Sequence, residues 1–254
     1  MRISRLALYA TAVLTGIIGA SGGYAAGSSS SEVPAYIKAA VDDPARPEKD
    51  RQRDADRKPA QVLAFAGIKP GQKVAELLAG SGYYTRLLCR VVGASGHVTM
   101  VDLKGKEPDT EPKPDTAPCD NVTSTTVVAS EMSLPEGLDV VWTSENYHDL
   151  KDDYWAGGIP DTKAFDAAVF KALKPGGVYI VEDHAAAAGS GARDVNTLHR
   201  IDPALVKQEA SSAGFVLAGE SRVLHHPEDN HTAKVFALKG KSDRFLLKFR
   251  KPRS

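Results

Sequence analysis

The stretch Val74-Ala75-Glu76-Leu77-Leu78-Ala79-Gly80-Ser81-Gly82-Tyr83-Tyr84-Thr85 constrains the fold of this chain more than any other. Lys73 to Leu78 is a short apolar run of the kind that forms a buried strand, and it carries an acid, Glu76, near its end. Gly80 and Gly82 then let the backbone take positive φ or approach a ligand closely. Leu87, Leu88, Val91 and Val92 follow at helical spacing, which predicts a helix starting at Tyr83. A strand, a small-residue turn and a helix N-terminus together present backbone N–H groups to an anionic or polar group, as nucleotide-type cofactor turns do.

The rest of the chain alternates strands and helices, an α/β pattern. His97 to Val101 reads as the second strand and ends in Asp102, an acid placed to accept hydrogen bonds from both hydroxyls of a ribose. A third strand, Val122 to Ala129, leads to Ser130 and Glu131, predicted at the carboxyl edge of the sheet. The fourth, Leu138 to Thr143, exits into the polar loop Ser144-Glu145-Asn146-Tyr147-His148-Asp149-Leu150. Ligands of open α/β sheets bind beyond the carboxyl ends of the strands, so this loop should face the crevice that Gly80 and Gly82 face. A helix from Asp161 stops at Lys174-Pro175-Gly176-Gly177 and is followed by a strand, Val178 to Val181, ending in Glu182-Asp183-His184. Asp202-Pro203 starts another helix, with Asp as cap and Pro at the first position. Two last strands, Phe215 to Val223 and Arg244 to Phe249, suit an antiparallel closing pair.

Lys plus Arg equals Asp plus Glu at 32 each, so no global field attracts nucleic acid or an anionic membrane surface, and a small-molecule partner fits better. At the N-terminus Arg2 and Arg5 precede the apolar run Leu6 to Ala20, with small residues following to Ala26. At 15 residues the run is short of the ~20 that a spanning helix needs. Residues 1–26 therefore read as a cleaved secretory signal, with export to the periplasm and no stable membrane insertion afterwards; an uncleaved N-terminal anchor is the alternative. Residues 27–66 read as a linker and a helical extension, and 67–254 as the main domain. Within the extension, Arg53, Asp54 and Arg57 are either a solvated face or a lid over a pocket beside the glycine turn. Cys89 and Cys119 permit one disulfide without requiring it. The oligomeric state is not encoded in any of these features.

The order of these features, with a glycine turn after strand one, an acid after strand two, a polar loop after strand four and a closing pair, resembles the class I S-adenosylmethionine-dependent methyltransferases over roughly residues 69–251. More narrowly, Gly80 to Thr85, Asn146-Tyr147-His148-Asp149, Thr197-Leu198-His199-Arg200-Ile201-Asp202 and Asp243-Arg244-Phe245 look like a family of exported bacterial predicted methyltransferases with unassigned substrates. The resemblance implies a Rossmann-like, seven-stranded, mostly parallel sheet with an antiparallel closing strand and helices on both faces. It implies S-adenosylmethionine as cofactor, its methionine part at Glu76 and the backbone of Gly80, Ser81 and Gly82, its ribose at Asp102 and its adenine near Ser130 or Glu131. The chain departs from the class turn at Leu78, where a glycine is usual, which predicts a wider or displaced loop. An NAD-type turn is disfavoured because Thr85 stands where close helix packing wants Gly or Ala. A phosphate loop at Gly240-Lys241-Ser242 is disfavoured because Val235 stands where its first glycine belongs.

Methyl transfer from a sulfonium needs alignment, exclusion of water and at times a base. His148 is the candidate base, since an imidazole of ordinary pKa near ~6.5 accepts a proton near neutral pH; Asn146 or Asp149 would orient it. A non-catalytic exported binding protein that keeps the fold is the second class of reading. A metal protein is the third: His184, His199, His225, His226 and His231 match no compact metal motif in their spacing, so no metal is expected.

Overall fold

A computed structural model describes residues 32–106, 116, 119–152, 154–155 and 161–253 of the chain. The proposed signal, residues 1–26, lies outside the described residues. No helix among the described residues is long and apolar enough to cross a membrane.

The centre of the fold is β1 (Lys73–Leu77), whose last four residues are all buried. It pairs in parallel with β2 (His97–Leu103) on one side and with β4 (Leu138–Ser144) on the other. Outward from these lie β3 (Val122–Val127) next to β2, and β5 (Leu173–His184) next to β4, again parallel. The sheet is closed by β7 (Arg244–Arg250), antiparallel to both β5 and β6 (Val216–Ser221), giving the seven-strand order β3-β2-β1-β4-β5-β7-β6. One reversed strand inserted before the last is therefore the only antiparallel element among the seven.

Successive residues of the central strands point to opposite faces, and both faces are covered, which is why these strands read as nearly continuous apolar runs. Val74, Val140, Trp142, Val178 and Ile180 pack on one side against α1 (Ala35–Val41), α4 (Pro59–Ala66) and α5 (Tyr83–Val92). Ala75, Leu77, Val141, Tyr179 and Val181 pack on the other against α6 (Thr162–Ala172) and α8 (Pro203–Ser212). The extension before residue 67 is thus part of the core: Ile37, Val62 and Leu63 are wholly buried with α5 and the sheet.

Helix starts follow local chemistry. Asp161 caps α6 through Lys163 N at 2.9 Å, and Asp202 caps α8 through Ala204 N at 2.8 Å with Pro203 in the first position. Two short helices, α2 (Glu48–Arg51) and α3 (Asp54–Arg57), are instead held by ion pairs. Asp50 grips Arg86 of α5 at 2.6 Å, and Arg46, in the loop before α2, reaches Asp54 at 2.7 Å. Both arginines are buried, so these pairs fix where the α2–α3 segment sits over the start of α5. Cys89 of α5 and Cys119 form a disulfide that ties this helix to the approach to β3.

Candidate functional site

The turn after β1 is the natural starting point. Leu78 has φ 52°, Gly80 53° and Gly82 75°. Leu78 therefore adopts the left-handed conformation that a glycine would supply. A non-glycine residue there costs on the order of 1 kcal/mol, which its surroundings must offset. Two clamps do so. Leu78 N donates to Val101 O at 2.9 Å, and the Asn146 side-chain N–H donates to Leu77 O at 3.1 Å and Leu78 O at 2.8 Å. The Thr143 hydroxyl donates to Asn146 Oδ1 and fixes the amide's orientation. Asn146, expected to orient a histidine, holds the glycine turn instead.

Under the turn lies a cavity of about 440 Å³, lined by Glu76, Leu78 to Ser81, Asp102, Leu103, Asn146, Asp149 and Trp155, with Arg53 and Arg57 on its rim. Its volume falls in the range of about 300–1,000 Å³ usual for small-molecule sites. Glu76 and Asp102, at the tips of two adjacent strands, both face it. Glu76 Oε2 accepts from the Thr85 hydroxyl at 2.5 Å. Burial pushes the Glu76 carboxyl up to about 8; the Thr85 hydroxyl works against this rise and the nearby Asp102 charge adds to it. Thr85, which argued against a dinucleotide turn, thus locks the first helical turn onto the acid of β1.

Arg53 lines the same cavity, with its guanidinium 3.5 Å from Ser81 Oγ and over the Tyr83 ring at 5.4 Å from the centroid. It makes no salt bridge with a carboxylate among the described residues. Asp54 points away from the cavity, toward Arg46 and the Tyr83 hydroxyl. Arg53, exposed, and Arg57, buried, thus both line the cavity, and the aspartate anchors their segment.

Beside this cavity is a second one, also about 440 Å³, which shares Arg53, Arg57 and Glu145 and adds His184, Phe236 and Arg244. The wall between the two is an ion-pair cluster. Glu145 bonds to Arg57 and, at 2.5 Å, to Arg244, and Arg244 also reaches Glu182 at 3.4 Å. Although burial opposes it, these two guanidinium groups hold Glu145 down to about 2.

The polar loop after β4 is drawn into the same region. His148 is buried, with its Nδ1 2.8 Å from Asp183 Oδ1 and its Nε2 3.1 Å from Asp149 Oδ1. Burial opposes the charged ring, but the two carboxylates prevail and raise His148 to about 10. Held between two carboxylates, the imidazole keeps its second proton unless another cation replaces it, unlike the ready proton acceptor expected from an ordinary histidine. Its neighbour His184, buried with Ser242 on Nδ1 at 2.8 Å, is pushed down by that burial to about 4.

The structure thus brings together Glu76, Gly80, Ser81, Asp102, Asn146 and Asp149 around one cavity, with Gly82 capping α5 beside it. It does not bring in Ser130 and Glu131, which are exposed in the short turn Ala129–Glu131 and stand outside the lining. Leu103, Tyr154 and Trp155 occupy that end of the cavity, the last fixed by its indole N–H donating to Asp149 O at 2.7 Å. Asp183, which holds the His148 ring, is the residue that sequence reasoning passed over. Its only signal was its place in Glu182-Asp183-His184 at the carboxyl end of β5. Arg200 is buried and tied to Asp229 at 2.9 Å and to Ala185 O at 2.9 Å, a structural role.

No family model matches the chain. The ubiquinone/menaquinone biosynthesis C-methyltransferase UbiE of Shewanella piezotolerans is 27% identical over 68% of this chain and 67% of its own length. The match to the protein of the same name in Shewanella halifaxensis is 26% identical and covers 47% of this chain but only 45% of that protein, so there the chain spans about half the relative's length. Among solved structures, a SAM dependent methyltransferase from Aquifex aeolicus superposes with a TM-score of 0.56 at 17% identity, covering 81% of this chain and 98% of that one. The [4+2]-cyclase SpnF superposes with a TM-score of 0.54 at 15% identity, covering 81% of each chain. These likenesses establish the fold.

Proposed function

We propose that this chain, which has the fold of the class I S-adenosylmethionine-dependent methyltransferases, binds S-adenosylmethionine in the cavity under the Leu78–Gly82 turn and transfers its methyl group to a small-molecule acceptor. The observation that carries this reading is the convergence of Glu76 and Asp102 on one cavity beneath a turn of three left-handed residues.

The residues present fit the cofactor. Glu76 is a buried acid with no cation bonded to it among the described residues, which suits the methionine ammonium. Arg53, on the rim beside Ser81, suits the methionine carboxylate. Asp102 would accept from the ribose hydroxyls, and Leu103 and Trp155 would give the adenine an apolar wall. When bound, S-adenosylmethionine supplies an electrophilic methyl on a sulfonium.

What the protein contributes is alignment and dryness. Asn146 holds the turn in shape, and Glu145 with Arg57 and Arg244 makes a rigid partition toward the second cavity. That cavity, with exposed Phe236 at its edge, is the acceptor side in this reading. Asp183 fixes His148, and His148 in turn braces Asp149 on the cavity wall, so His148 acts here by positioning. Export of the chain, read from residues 1–26, agrees with the Cys89–Cys119 disulfide.

Because the same fold also serves a named cyclase, fold alone does not fix the reaction. Calorimetric titration with S-adenosylmethionine and S-adenosylhomocysteine is the test. Saturable binding of both, weakened in Asp102→Asn, is the expected result; no binding of either overturns the reading.

A further inference from the structure

Away from the cofactor cavity's floor, three side chains from separate elements meet without any compact motif to announce them. His148 and Asp149 come from the short helical turn His148–Lys151, and His199 from the end of α7 (Val195–Leu198). One ligand atom from each lies within 4.8 Å of the other two.

The arrangement around His148 is that of a metal-ligating histidine. Asp183 accepts from His148 N at 2.7 Å, from the His148 ring at Nδ1 at 2.8 Å and from His184 N at 2.7 Å. Wholly buried and supplied with three donors, Asp183 sets the tautomer: Nδ1 carries the proton and Nε2 is turned to Asp149. A carboxylate behind the distal nitrogen is the usual support of a histidine bound to a metal. The 3.1 Å between His148 Nε2 and Asp149 Oδ1 is close to the roughly 3.4 Å that separates two ligands about 2.1 Å from one tetrahedral ion.

His199 adds an independent observation. It sits at φ 56° and ψ 52°, a left-handed conformation that a histidine rarely adopts. Neither of its ring nitrogens has a hydrogen-bond partner among the described residues. Its ring lies edge-on to His148 at 5.5 Å and to Phe236 at 4.8 Å. Strain of this kind persists where the surroundings need the side chain in one place.

We propose that His148 Nε2, Asp149 and His199 bind one divalent transition-metal ion of the zinc class, with Asp183 as the supporting carboxylate. Two histidines and one carboxylate leave a coordination position open, as catalytic zinc sites do. Asp149 lines the cofactor cavity and Phe236, against His199, lines the second one, so the ion stands where an acceptor oxygen or sulfur would meet it. That role toward an acceptor rests on the methyltransferase reading; binding of the ion does not.

The test uses the full mature chain, purified without an affinity tag and stripped with chelator, then titrated with Co²⁺ and followed by its visible absorption. The expected result is saturation at one equivalent, competed by Zn²⁺. His199→Gly should lose at least about 100-fold in affinity, and Asp183→Asn about 10–100-fold. Glycine is chosen because it tolerates the left-handed backbone: the metal-free variant should unfold at the same temperature as the metal-free parent or higher, and only the parent should gain stability from the ion. A second carboxylate, Asp243, has His225 and His231 at 2.8 and 2.9 Å and is the obvious competing site. Binding that survives His199→Gly, or that disappears in a His225→Ala/His231→Ala variant, overturns the proposal, as does the absence of saturable binding. Titration of the metal-free parent with S-adenosylmethionine reports separately on the methyltransferase reading.

Discussion

Glu76 and Glu145 are two acids on the same cavity, yet their environments drive them in opposite directions. Glu76 is 3% exposed and, among the described residues, bonded only to a hydroxyl, and burial pushes it up to about 8. Glu145 has Arg57 and Arg244 against its two oxygens and is held down to about 2. The difference lies in the supply of guanidinium groups. Glu145 has its counter-charges within the fold and works as a structural partition. Glu76 has none bonded to it among the described residues, and a cationic ligand would complete it. A buried acid without a built-in cation is a stronger mark of a binding site than a buried ion pair, because the pair is already satisfied.

The contrast can be broken most severely on the paired side. Arg244→Ala leaves Glu145 and Glu182 without their shared cation and should cost about 3–5 kcal/mol, read as a fall in the denaturant midpoint. On the unpaired side, Glu76→Gln should leave the fold intact and weaken S-adenosylmethionine about 10- to 100-fold in calorimetry, the cost of losing a hydrogen bond to a charged group. The pH dependence of stability separates the two acids by sign. Glu76 has a folded pKa of about 8 against an ordinary 4.5, so its contribution to stability is complete below about 4.5 and is lost as pH rises toward 8, by at most about 1.4 kcal/mol per pH unit. Glu145 behaves oppositely, contributing above its ordinary 4.5 and losing that contribution as pH falls toward 2. Unfolding curves of Glu76→Gln should therefore decline less steeply than those of the parent between about pH 5 and 8, keeping only the share of other raised groups such as Asp166 and His148. Smallest of all, Leu78→Gly should change stability by less than about 1 kcal/mol, since backbone relief offsets the lost contacts of a half-buried leucine.

Much of this was legible in the sequence, and the reason is local. The β1 turn, the strand ends at Asp102 and Asp183 and the Asp202-Pro203 cap depend on residues next to one another, whose chemistry shows in a one-dimensional pattern. Strand limits blurred where the pattern was ambiguous: Lys174-Pro175-Gly176-Gly177 reads as a stop, yet β5 already begins at Leu173 and runs through it. The left-handed Leu78 was not legible, because what holds it is Asn146, 68 residues away. Nor were the pairs Arg57–Glu145 and Arg244–Glu145, separated by 88 and 99 residues, which decide that Glu145 is structural. His148, Asp183 and His199 lie on three elements that only the finished sheet brings together. Ser130 and Glu131 do follow the carboxyl end of β3, but a strand end does not reveal that both are exposed and stand outside the cavity lining.

The account turns on Glu76 awaiting a cation, and proton release on cofactor binding tests that most directly. Calorimetric titration with S-adenosylmethionine near pH 7, repeated in two buffers of different ionisation enthalpy, counts the protons exchanged. An ammonium placed beside Glu76 favours its charged form, so the parent should release up to about one proton and Glu76→Gln should release none. Equal proton counts in the two proteins, or no binding by the parent, would contradict it.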